Sequence, residues 1–338
     1  MVLLEVKNLK VHFKIQNGWV KAVDGVSFSI DSGETMGLVG ESGCGKTTAA
    51  YAITQLLPPN GYIKGGQIFY KGQDLLAIST RKDGRVEEFN DEIRKIRWKE
   101  ISMIFQGAMN AFNPVFKVGD QIIEAIQLHE DVDDDKAMER AKSLFNFVGI
   151  PEDRIGNYPH EFSGGMKQRA MIALALALSP SFIIADEPTT ALDVITQDRI
   201  LVEIKKLQEK WHMAMMIITH DVSVVAEVSD KIGVMYAGRL MEIGPTAMVF
   251  KRTAHPYTAG LLGSFPSITG KKKRLISIPG FPPDLVNPPS GCPFHPRCQY
   301  AQERCSKEVP KGIEIEPGHM SYCHFSRELW QKLMGSGS

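Results

Sequence analysis

Two patterns of apolar and polar positions alternate along most of the chain. The first letters, MVLLEVKNLKVHF, and residues 26–30 (VSFSI) alternate with a period of two, which is typical of strands with one buried face. Apolar side chains in residues 137–148 recur at helical spacing instead. Short unbroken apolar runs, which favour fully buried strands, fall at residues 35–39, 182–186 and 214–219. Strands that alternate with helices in this way predict an α/β core with a largely parallel sheet.

Two segments depart from this alternation. Residues 79–100 are highly charged and predict a solvated loop that leads into a helix. Residues 264–296 are rich in proline and have few periodic runs, which indicates an irregular extension built of loops. The chain is therefore expected to have a regular α/β part followed by a smaller, irregular C-terminal part.

Composition and charge restrict the class of protein. The chain has 338 residues, 43% of them apolar and 23% charged, which is an ordinary globular balance with room for one large domain and a smaller one. Lysine plus arginine number 39, as do aspartate plus glutamate, so the basic excess that is usual in nucleic-acid binders is absent. The longest apolar run, residues 170–178, is far shorter than the ~20 residues that span a bilayer, and no signal-peptide layout is present. We expect a soluble cytosolic protein, in which clustered cysteines indicate metal binding more than disulfides.

Residues 40–48 (GESGCGKTT) match the phosphate-binding pattern G-x-x-x-x-G-K-[ST], between a buried strand and a helix. Glycines let several backbone N–H groups point into one concavity, and the helix N-terminus adds positive potential. Lys46 is expected to reach the β- and γ-phosphates of a nucleotide, and the Thr47 hydroxyl to bind Mg²⁺. The nine residues expected to line this part of the nucleotide site are Gly40, Glu41, Ser42, Gly43, Cys44, Gly45, Lys46, Thr47 and Thr48.

Two acidic residues end the apolar run in FIIADEP. Asp186 stands at the end of a predicted buried strand, where a carboxylate can hold Mg²⁺. Glu187 follows directly, and adjacent side chains at a strand end can diverge, one toward the metal and one toward water. We therefore predict that Glu187 is the general base for the attacking water.

A second anion-binding helix terminus is predicted in FSGGMKQR, residues 162–169. Ser163 is a strong N-cap, and Gly164 and Gly165 leave backbone N–H groups accessible at the start of a helix. One chain does not need two such termini for one nucleotide. The second terminus is therefore expected to serve the nucleotide of a partner chain.

The segments GESGCGKT, MIFQ, FSGGMKQR, FIIADEP, ALD and ITHD follow one another in an order that resembles the ATPase subunits of ABC transporters, over roughly residues 2–250. The resemblance implies a P-loop NTPase (RecA-like) core in residues 1–255, with an antiparallel β subdomain and a helical subdomain inserted at about residues 107–178. It also implies a head-to-tail dimer that holds two Mg²⁺–ATP molecules between the P-loop of one subunit and the signature segment of the other.

The resemblance assigns further roles by position. Gln106 is expected to approach Mg²⁺ and the water and to link the site to the transmembrane partner. Asp193 is expected at the dimer seam, and His220 is expected to donate to the γ-phosphate. Phe13 lies where the family places an aromatic ring that stacks on adenine, with Trp19 as the rival. With Lys46 and Glu187, Gln106 and His220 complete the predicted catalytic set.

The signature segment departs from the commoner LSGGQ at Phe162 and Met166. The serine and both glycines are intact. The change at Met166 removes a polar side chain near the nucleotide but leaves the helix terminus in place.

The segments AHPYTAGLLGSFP, IPGFPP and GCPFHPRC resemble the C-terminal extension of dipeptide and oligopeptide importer ATPases, a group that includes nickel importers. The resemblance implies an extension over residues 256–334 and a peripheral subunit at the cytoplasmic face of the membrane. Its implied partners are a second ATPase subunit, identical or related, two transmembrane permease subunits and an extracellular substrate-binding protein. Alternatives are nickel import or a non-transport ABC ATPase; a single cassette without long coiled coils disfavours the latter.

Four cysteines in the C-terminal part have the spacing C-x₅-C-x₆-C-x₁₇-C, at Cys292, Cys298, Cys305 and Cys323. Four thiolates can hold Zn²⁺ or a [4Fe–4S] cluster. The short C-x₂₋₄-C pairs of structural zinc sites are absent, and wider loops suit a larger cluster. The resemblance to importer ATPases also implies the cluster, whose role would be to fold the extension. Zinc, unligated thiols and disulfides remain alternatives, and the substitute ligands would be His295, His319 and His324.

Overall fold

The chain folds into two compact units. In the structure, a computed structural model, the described residues are 1–87, 90–107, 111–188, 194–264 and 278–335. The first unit is formed by residues 1, 31–34 and 89–217, and the second by residues 2–30, 35–88 and 218–338.

Strands and helices follow each other along the described ranges. The strands are β1 (Val2–Ile15), β2 (Gly18–Asp31), β3 (Thr35–Val39), β4 (Gly61–Tyr70), β5 (Gln73–Asp74), β6 (Ile101–Ile104), β7 (Phe182–Asp186), β8 (Ala214–Ile218), β9 (Lys231–Tyr236), β10 (Arg239–Pro245), β11 (Ile313–Glu316) and β12 (His319–Ser321). The helices are α1 (Lys46–Ile53), α2 (Leu75–Ser79), α3 (Asp91–Ile96), α4 (Val118–His129), α5 (Asp134–Phe147), α6 (Gly164–Ala175), α7 (Val194–Trp211), α8 (Val222–Val228), α9 (Thr246–Lys251), α10 (Pro256–Gly263), α11 (Glu303–Lys307) and α12 (Ser326–Gly335). None of these described helices combines the length and the apolar character needed to cross a bilayer.

The first unit combines a short parallel sheet with a group of helices. Strands β6 and β7 pair in parallel, with Ile101 opposite Phe182, and β8 lies on the other side of β7. Helix α5 begins three residues before its predicted start, because the Asp133 carboxylate caps it by accepting a hydrogen bond from the Lys136 N–H at 2.9 Å. Most apolar side chains on its predicted face are buried, and Met138 is half-buried; the buried ones in the helix are Ala137, Ala141, Leu144 and Phe145.

The second unit contains mostly antiparallel sheet. Strands β2, β1, β4 and β5 form one four-stranded sheet. In the other, β3 pairs in parallel with β9, but β10 and then β12 and β11 add antiparallel neighbours. The predicted parallel pairing is thus present between β3 and β9, and antiparallel strands continue the same sheet, which is therefore mixed. Only Ala237 and Gly238 separate β9 from β10, and so short a connection makes the two strands antiparallel.

The C-terminal part is more regular than the sequence predicted. Residues 278–294 contain no strand or helix, as expected, but α10 precedes them in the chain, and α11, the β11–β12 hairpin and α12 follow. Strand β12 extends the edge of β10, with Met320 opposite Ile243. The extension is thus partly built onto a sheet, because β12 supplies backbone groups that pair with the edge of β10.

A buried glutamate joins three elements of this unit. The Glu242 carboxylate in β10 accepts hydrogen bonds from the N–H groups of Ala254, at 2.7 Å, and His255, at 3.1 Å. Its Oε1 also lies 2.7 Å from His319 Nε2 of β12, and both side chains are fully buried. A buried carboxylate is stable only when its oxygens are paired, so this contact depends on β10, β12 and the start of α10 being assembled together.

Candidate functional site

The predicted phosphate loop connects β3 to α1 in the second unit. Gly45 caps α1 with a left-handed backbone (φ +101°). A Cβ atom at this position would lie 2.1 Å from the Ala22 carbonyl oxygen. Only glycine therefore permits both this turn and the close approach of the β2 backbone. Thr47 and Thr48 follow in the first turn of α1 and are half-buried, whereas Ser42 and Gly43 are exposed.

Lys46 lies back over its own loop. Its Nζ donates hydrogen bonds to the carbonyl oxygens of Gly40, at 2.8 Å, and Glu41, at 3.0 Å, and lies 3.6 Å from Cys44 Sγ. The lysine is 8% exposed. Burial raises the pKa of the Cys44 thiol, which stays neutral beside the ammonium. The loop therefore presents a single buried cation, held by backbone oxygens.

Two residues of the C-terminal part that had no predicted role, Tyr257 and Arg297, contact the phosphate loop. The Tyr257 hydroxyl accepts a hydrogen bond from the Glu41 N–H at 3.0 Å. His255 Nδ1 caps α10 by accepting from the Tyr257 N–H at 3.0 Å, which positions the ring. Arg297 donates two hydrogen bonds to the Glu41 carboxylate, at 2.6 and 3.0 Å. The sequence offered one indication of their importance: Tyr257 lies in AHPYT and Arg297 in HPRC, which are segments that carry the resemblance to importer ATPases.

The first unit brings Gln106 and Glu187 together. Gln106 Nε2 donates a hydrogen bond to Glu187 Oε2 at 2.9 Å. Asp186 ends β7 and is 1% exposed. Glu187 follows with a left-handed backbone (φ +48°), which is uncommon for a residue with a side chain. Asp186 is thus buried at the strand end, whereas the half-buried Glu187 contacts Gln106.

The signature segment forms the start of α6. Ser163 is the N-cap, and its hydroxyl accepts a hydrogen bond from the Met166 N–H at 3.3 Å, while Gly164 and Gly165 are the first helical residues. Phe162, one of the departures from LSGGQ, is buried, with its ring edge on Phe145 at a centroid distance of 6.3 Å.

Helix α6 also contacts the end of the acidic strand. Gln168 Nε2, 2% exposed, donates to the Pro188 carbonyl oxygen at 2.5 Å. Pro188 follows Glu187 directly, so the signature helix helps to fix the backbone beside the predicted base.

The remaining predicted nucleotide contacts lie in different places. Phe13 lies in β1 opposite Gly61 of β4 and is half-buried. Trp19 packs edge-on against Tyr62 at a centroid distance of 5.0 Å, and the Lys64 ammonium lies 3.9 Å from the centre of its ring. His220 is exposed just after β8. Asp193 falls outside the described residues.

The four C-terminal cysteines line one cavity, together with aromatic and proline side chains and the rings of His255, His295 and His324. The Cys292 N–H donates to the Cys305 carbonyl oxygen at 2.7 Å, which closes the loop between them. His319 is not among the lining residues; it contacts Glu242 instead. The five cysteines of the chain form no disulfide.

Burial favours the neutral form of three of these thiols. It raises the pKa of Cys292 to about 12 and that of Cys323 to about 11, and it also raises the pKa of Cys298. Neighbouring cysteines raise each of these pKa values further. Within the described ranges, no group of three or more histidine, cysteine, aspartate or glutamate side chains has an arrangement that could hold a metal ion.

Comparison with known proteins matches two families to the chain. The family described as "ABC transporter" matches residues 23–190, and the family described as "Oligopeptide/dipeptide transporter, C-terminal region" matches residues 241–305. The oligopeptide transport ATP-binding protein OppD of Haemophilus influenzae is 44% identical over 328 residues, which cover 96% of this chain and 98% of the relative. The chain belongs to the ATP-binding proteins of oligopeptide and dipeptide ABC transporters. It is thus the ATPase component of such a transporter.

A second relative is similar to this chain along its full length. The dipeptide transport ATP-binding protein DppD of Bacillus subtilis is 45% identical over 338 residues, which cover 99% of this chain and 98% of the relative. Among solved structures, a dimeric bacterial ABC transporter cassette superposes with a TM-score of 0.64 at 25% identity, covering 72% of this chain and 98% of its own. The fold of an ABC ATPase, predicted from the order of the motifs, is confirmed.

Proposed function

We propose that this chain binds and hydrolyses ATP to drive the import of dipeptides or oligopeptides through an ABC transporter. The observation that carries the proposal is the full-length similarity, above 40% identity, to relatives named for oligopeptide and dipeptide transport, including the C-terminal region. The cargo would be bound by other subunits, so the chain's own residues supply only the energy-converting step. Nickel import by the same type of ATPase is the alternative.

The nucleotide site is formed by the phosphate loop, the acidic end of β7 and the residues that the resemblance assigns to catalysis. Lys46 and the loop amides bind the β- and γ-phosphates, while Thr47 and Asp186 hold Mg²⁺. Glu187 takes a proton from the attacking water, and its hydrogen bond with Gln106 supports the assignment because it orients the carboxylate. His220 and Gln106 contact the γ-phosphate region. Mg²⁺, when bound, neutralises charge that develops on the phosphate oxygens.

The second helix terminus serves a partner chain. Ser163, Gly164, Gly165 and Asp193 contact ATP that is bound to the phosphate loop of a second ATPase subunit, identical or related. The start of α6 supports this role. Ser163 caps the helix, and the first two helical N–H groups belong to glycines, which have no side chain to block a phosphate. Two permease subunits and an extracellular substrate-binding protein complete the transporter, with the chain at the cytoplasmic face of the membrane.

Phe13 stacks on the adenine ring, and Trp19 does not. The Lys64 ammonium over the Trp19 ring supports this choice, because a cation–π contact already uses one face of the indole.

Residues 1–255 form the ATPase domain, with its helical subdomain at about 107–178, and residues 256–334 form the importer-type extension.

Uptake by cells that lack this chain tests the proposed cargo. Cells complemented with the wild-type gene are expected to take up labelled dipeptides or longer peptides, whereas cells complemented with Glu187→Gln are not, because transport needs hydrolysis. Both strains should make equal amounts of protein. Restoration of Ni²⁺ uptake alone would replace the peptide assignment with the nickel alternative.

The four cysteines would hold a [4Fe–4S] cluster, with Zn²⁺ as the alternative, after their side chains move closer together, because their present arrangement does not form a metal site. The support is chemical: four soft sulfur ligands of the type that binds either centre line one cavity. In either case the bound centre would fix Cys292, Cys298, Cys305 and Cys323, and with them the loops of the extension.

Absorption spectra and elemental analysis of anaerobically purified protein test the cluster. The wild type is expected to be brown, with a broad visible absorbance and about four iron and four sulfide per chain. Cys305→Ser should lose this absorbance, whereas Cys44→Ser, which changes a cysteine outside the cavity, should keep it. Zinc without visible absorbance would reject the cluster, and neither metal would reject the centre altogether.

A further inference from the structure

The phosphate loop is held by an arginine that lies 256 residues further along the chain. Arg297 Nη1 donates to Glu41 Oε2 at 2.6 Å, and Nη2 donates to Glu41 Oε1 at 3.0 Å. The arginine side chain is 7% exposed and the glutamate side chain 24%. Two parallel hydrogen bonds between a guanidinium and a carboxylate, mostly shielded from water, fix both the distance and the orientation of the pair.

The remaining donors of Arg297 are also occupied. Nε donates to the Pro279 carbonyl oxygen at 2.8 Å, and Nη2 donates to the Gly280 carbonyl oxygen at 3.2 Å. Nη1 also donates to the Tyr236 hydroxyl at 3.2 Å. The guanidinium is thus held in one orientation by the proline-rich segment and by β9. A lysine, with a single flexible ammonium, could not make this set of contacts.

Glu41 connects this arginine to the catalytic lysine. Its backbone N–H donates to the Tyr257 hydroxyl, and its carbonyl oxygen accepts from Lys46 Nζ at 3.0 Å. Side chain, N–H and carbonyl of one residue are therefore each bound to a different partner. A displacement of the Glu41 side chain moves the carbonyl that positions the Lys46 ammonium.

The same arginine neutralises a carboxylate in a loop that must accept a triphosphate. Glu41 follows the first glycine of the phosphate loop, and an unpaired carboxylate at this position would repel the phosphates of ATP. Arg297 ends a one-turn 3₁₀ helix, His295–Arg297, between two of the cavity-lining cysteines. The placement of its guanidinium depends on how the C-terminal extension is folded.

We propose that Arg297 is a positioning residue of the nucleotide site, which acts through Glu41 to set the phosphate loop and the Lys46 ammonium for ATP. The affinity of the chain for Mg²⁺–ATP then depends on the C-terminal extension. This role goes beyond the proposed function, because it does not depend on the transported substrate.

Nucleotide binding and steady-state hydrolysis by the complete transporter test the proposal. Arg297→Gln is expected to raise the Kd and the KM for Mg²⁺–ATP about tenfold, within the range usual for coupling between sites, with kcat at saturating ATP changed less than twofold. Arg297→Lys should show most of the same increase, because the bidentate contact is lost although the charge remains.

The matched control is Arg252→Lys. Arg252 also forms a glutamate pair in the C-terminal part, with Glu316 at 2.6 Å, but it is 52% exposed and does not contact the phosphate loop. Its substitution should leave the KM for ATP unchanged. Melting temperatures of all variants, measured without nucleotide, separate a loss of folding from a loss of affinity.

A double variant tests the route through Glu41. If Arg297 acts through this carboxylate, Arg297→Gln combined with Glu41→Gln should bind ATP no more weakly than Arg297→Gln alone. A double variant whose loss is the product of the two single losses would contradict that route. A lower melting temperature of Arg297→Gln with an unchanged KM would mean that the arginine has only a structural role. Should Arg297→Gln fail to fold, Glu41→Gln replaces it, because this variant breaks the same pair from the other side and is expected to raise the KM for ATP as well.

Discussion

Replacing Glu187 with glutamine is expected to abolish ATP turnover while leaving ATP binding intact. General-base catalysis contributes about 10²–10⁴-fold to rate, and the amide cannot accept the proton of the attacking water. The glutamine keeps the size of the side chain and its contact with Gln106, whose Nε2 donates to Glu187 Oε2 at 2.9 Å. ATP should therefore still bind, and with the natural partner ATPase present a closed dimer should accumulate.

Two measurements check this expectation. Phosphate release by the assembled transporter reports turnover, and size-exclusion chromatography with Mg²⁺–ATP reports the closed dimer. Glu130→Gln is the matched control, since Glu130 forms a half-buried ion pair with Arg140 in the same unit, at 2.8 Å. Turnover by Glu187→Gln within twofold of the wild type would remove Glu187 from the role of base.

Replacing Lys46 with alanine is expected to weaken Mg²⁺–ATP binding by about two orders of magnitude. Hydrogen bonds to a charged group are worth about 1.5–3 kcal/mol each, and the ammonium is the buried cation of the phosphate loop. Alanine also removes the hydrogen bonds that the ammonium donates to Gly40 and Glu41, so the loop itself loses a constraint.

Equilibrium titration with a fluorescent ATP analogue measures this loss directly. Lys251→Ala, at the exposed end of α9, removes a lysine of the same unit and should leave the affinity unchanged. An affinity of Lys46→Ala equal to that of the wild type would mean that the loop amides alone bind the phosphates.

The nucleotide-binding segments could be located from the sequence because each is a local signal. A glycine-rich loop between an apolar run and a helix depends on residues that are neighbours in the chain, and Gly45 can be replaced by no other residue within that turn. The Ser163 cap of α6 and the turn at Glu187 are equally local. Periodicity and turn chemistry report such features without knowledge of the rest of the fold.

The antiparallel strands at the edge of the mixed sheet and the shape of the extension could not be predicted from local patterns. The run of short strands suggested a largely parallel sheet, but the direction of β10 follows from a two-residue connection after β9. Strand β12, only three residues long, is too short to give an alternating pattern, and it is stabilised by pairing with β10. Such elements form because a sheet edge is available, which the local sequence does not encode.

The sequence by itself determined the family, the phosphate loop, the acidic strand end and the set of four cysteines. Only the tertiary structure decided that Arg297 binds Glu41 and that Glu242 binds His319, pairs that are 256 and 77 residues apart. The physical reason is that a contact between polar side chains becomes specific when packing buries it, and burial depends on the whole fold and not on the spacing of polar residues along the chain. From the sequence alone, Arg297 after Pro296 would be placed in a solvated loop, and only the folded structure shows its contact with the phosphate loop.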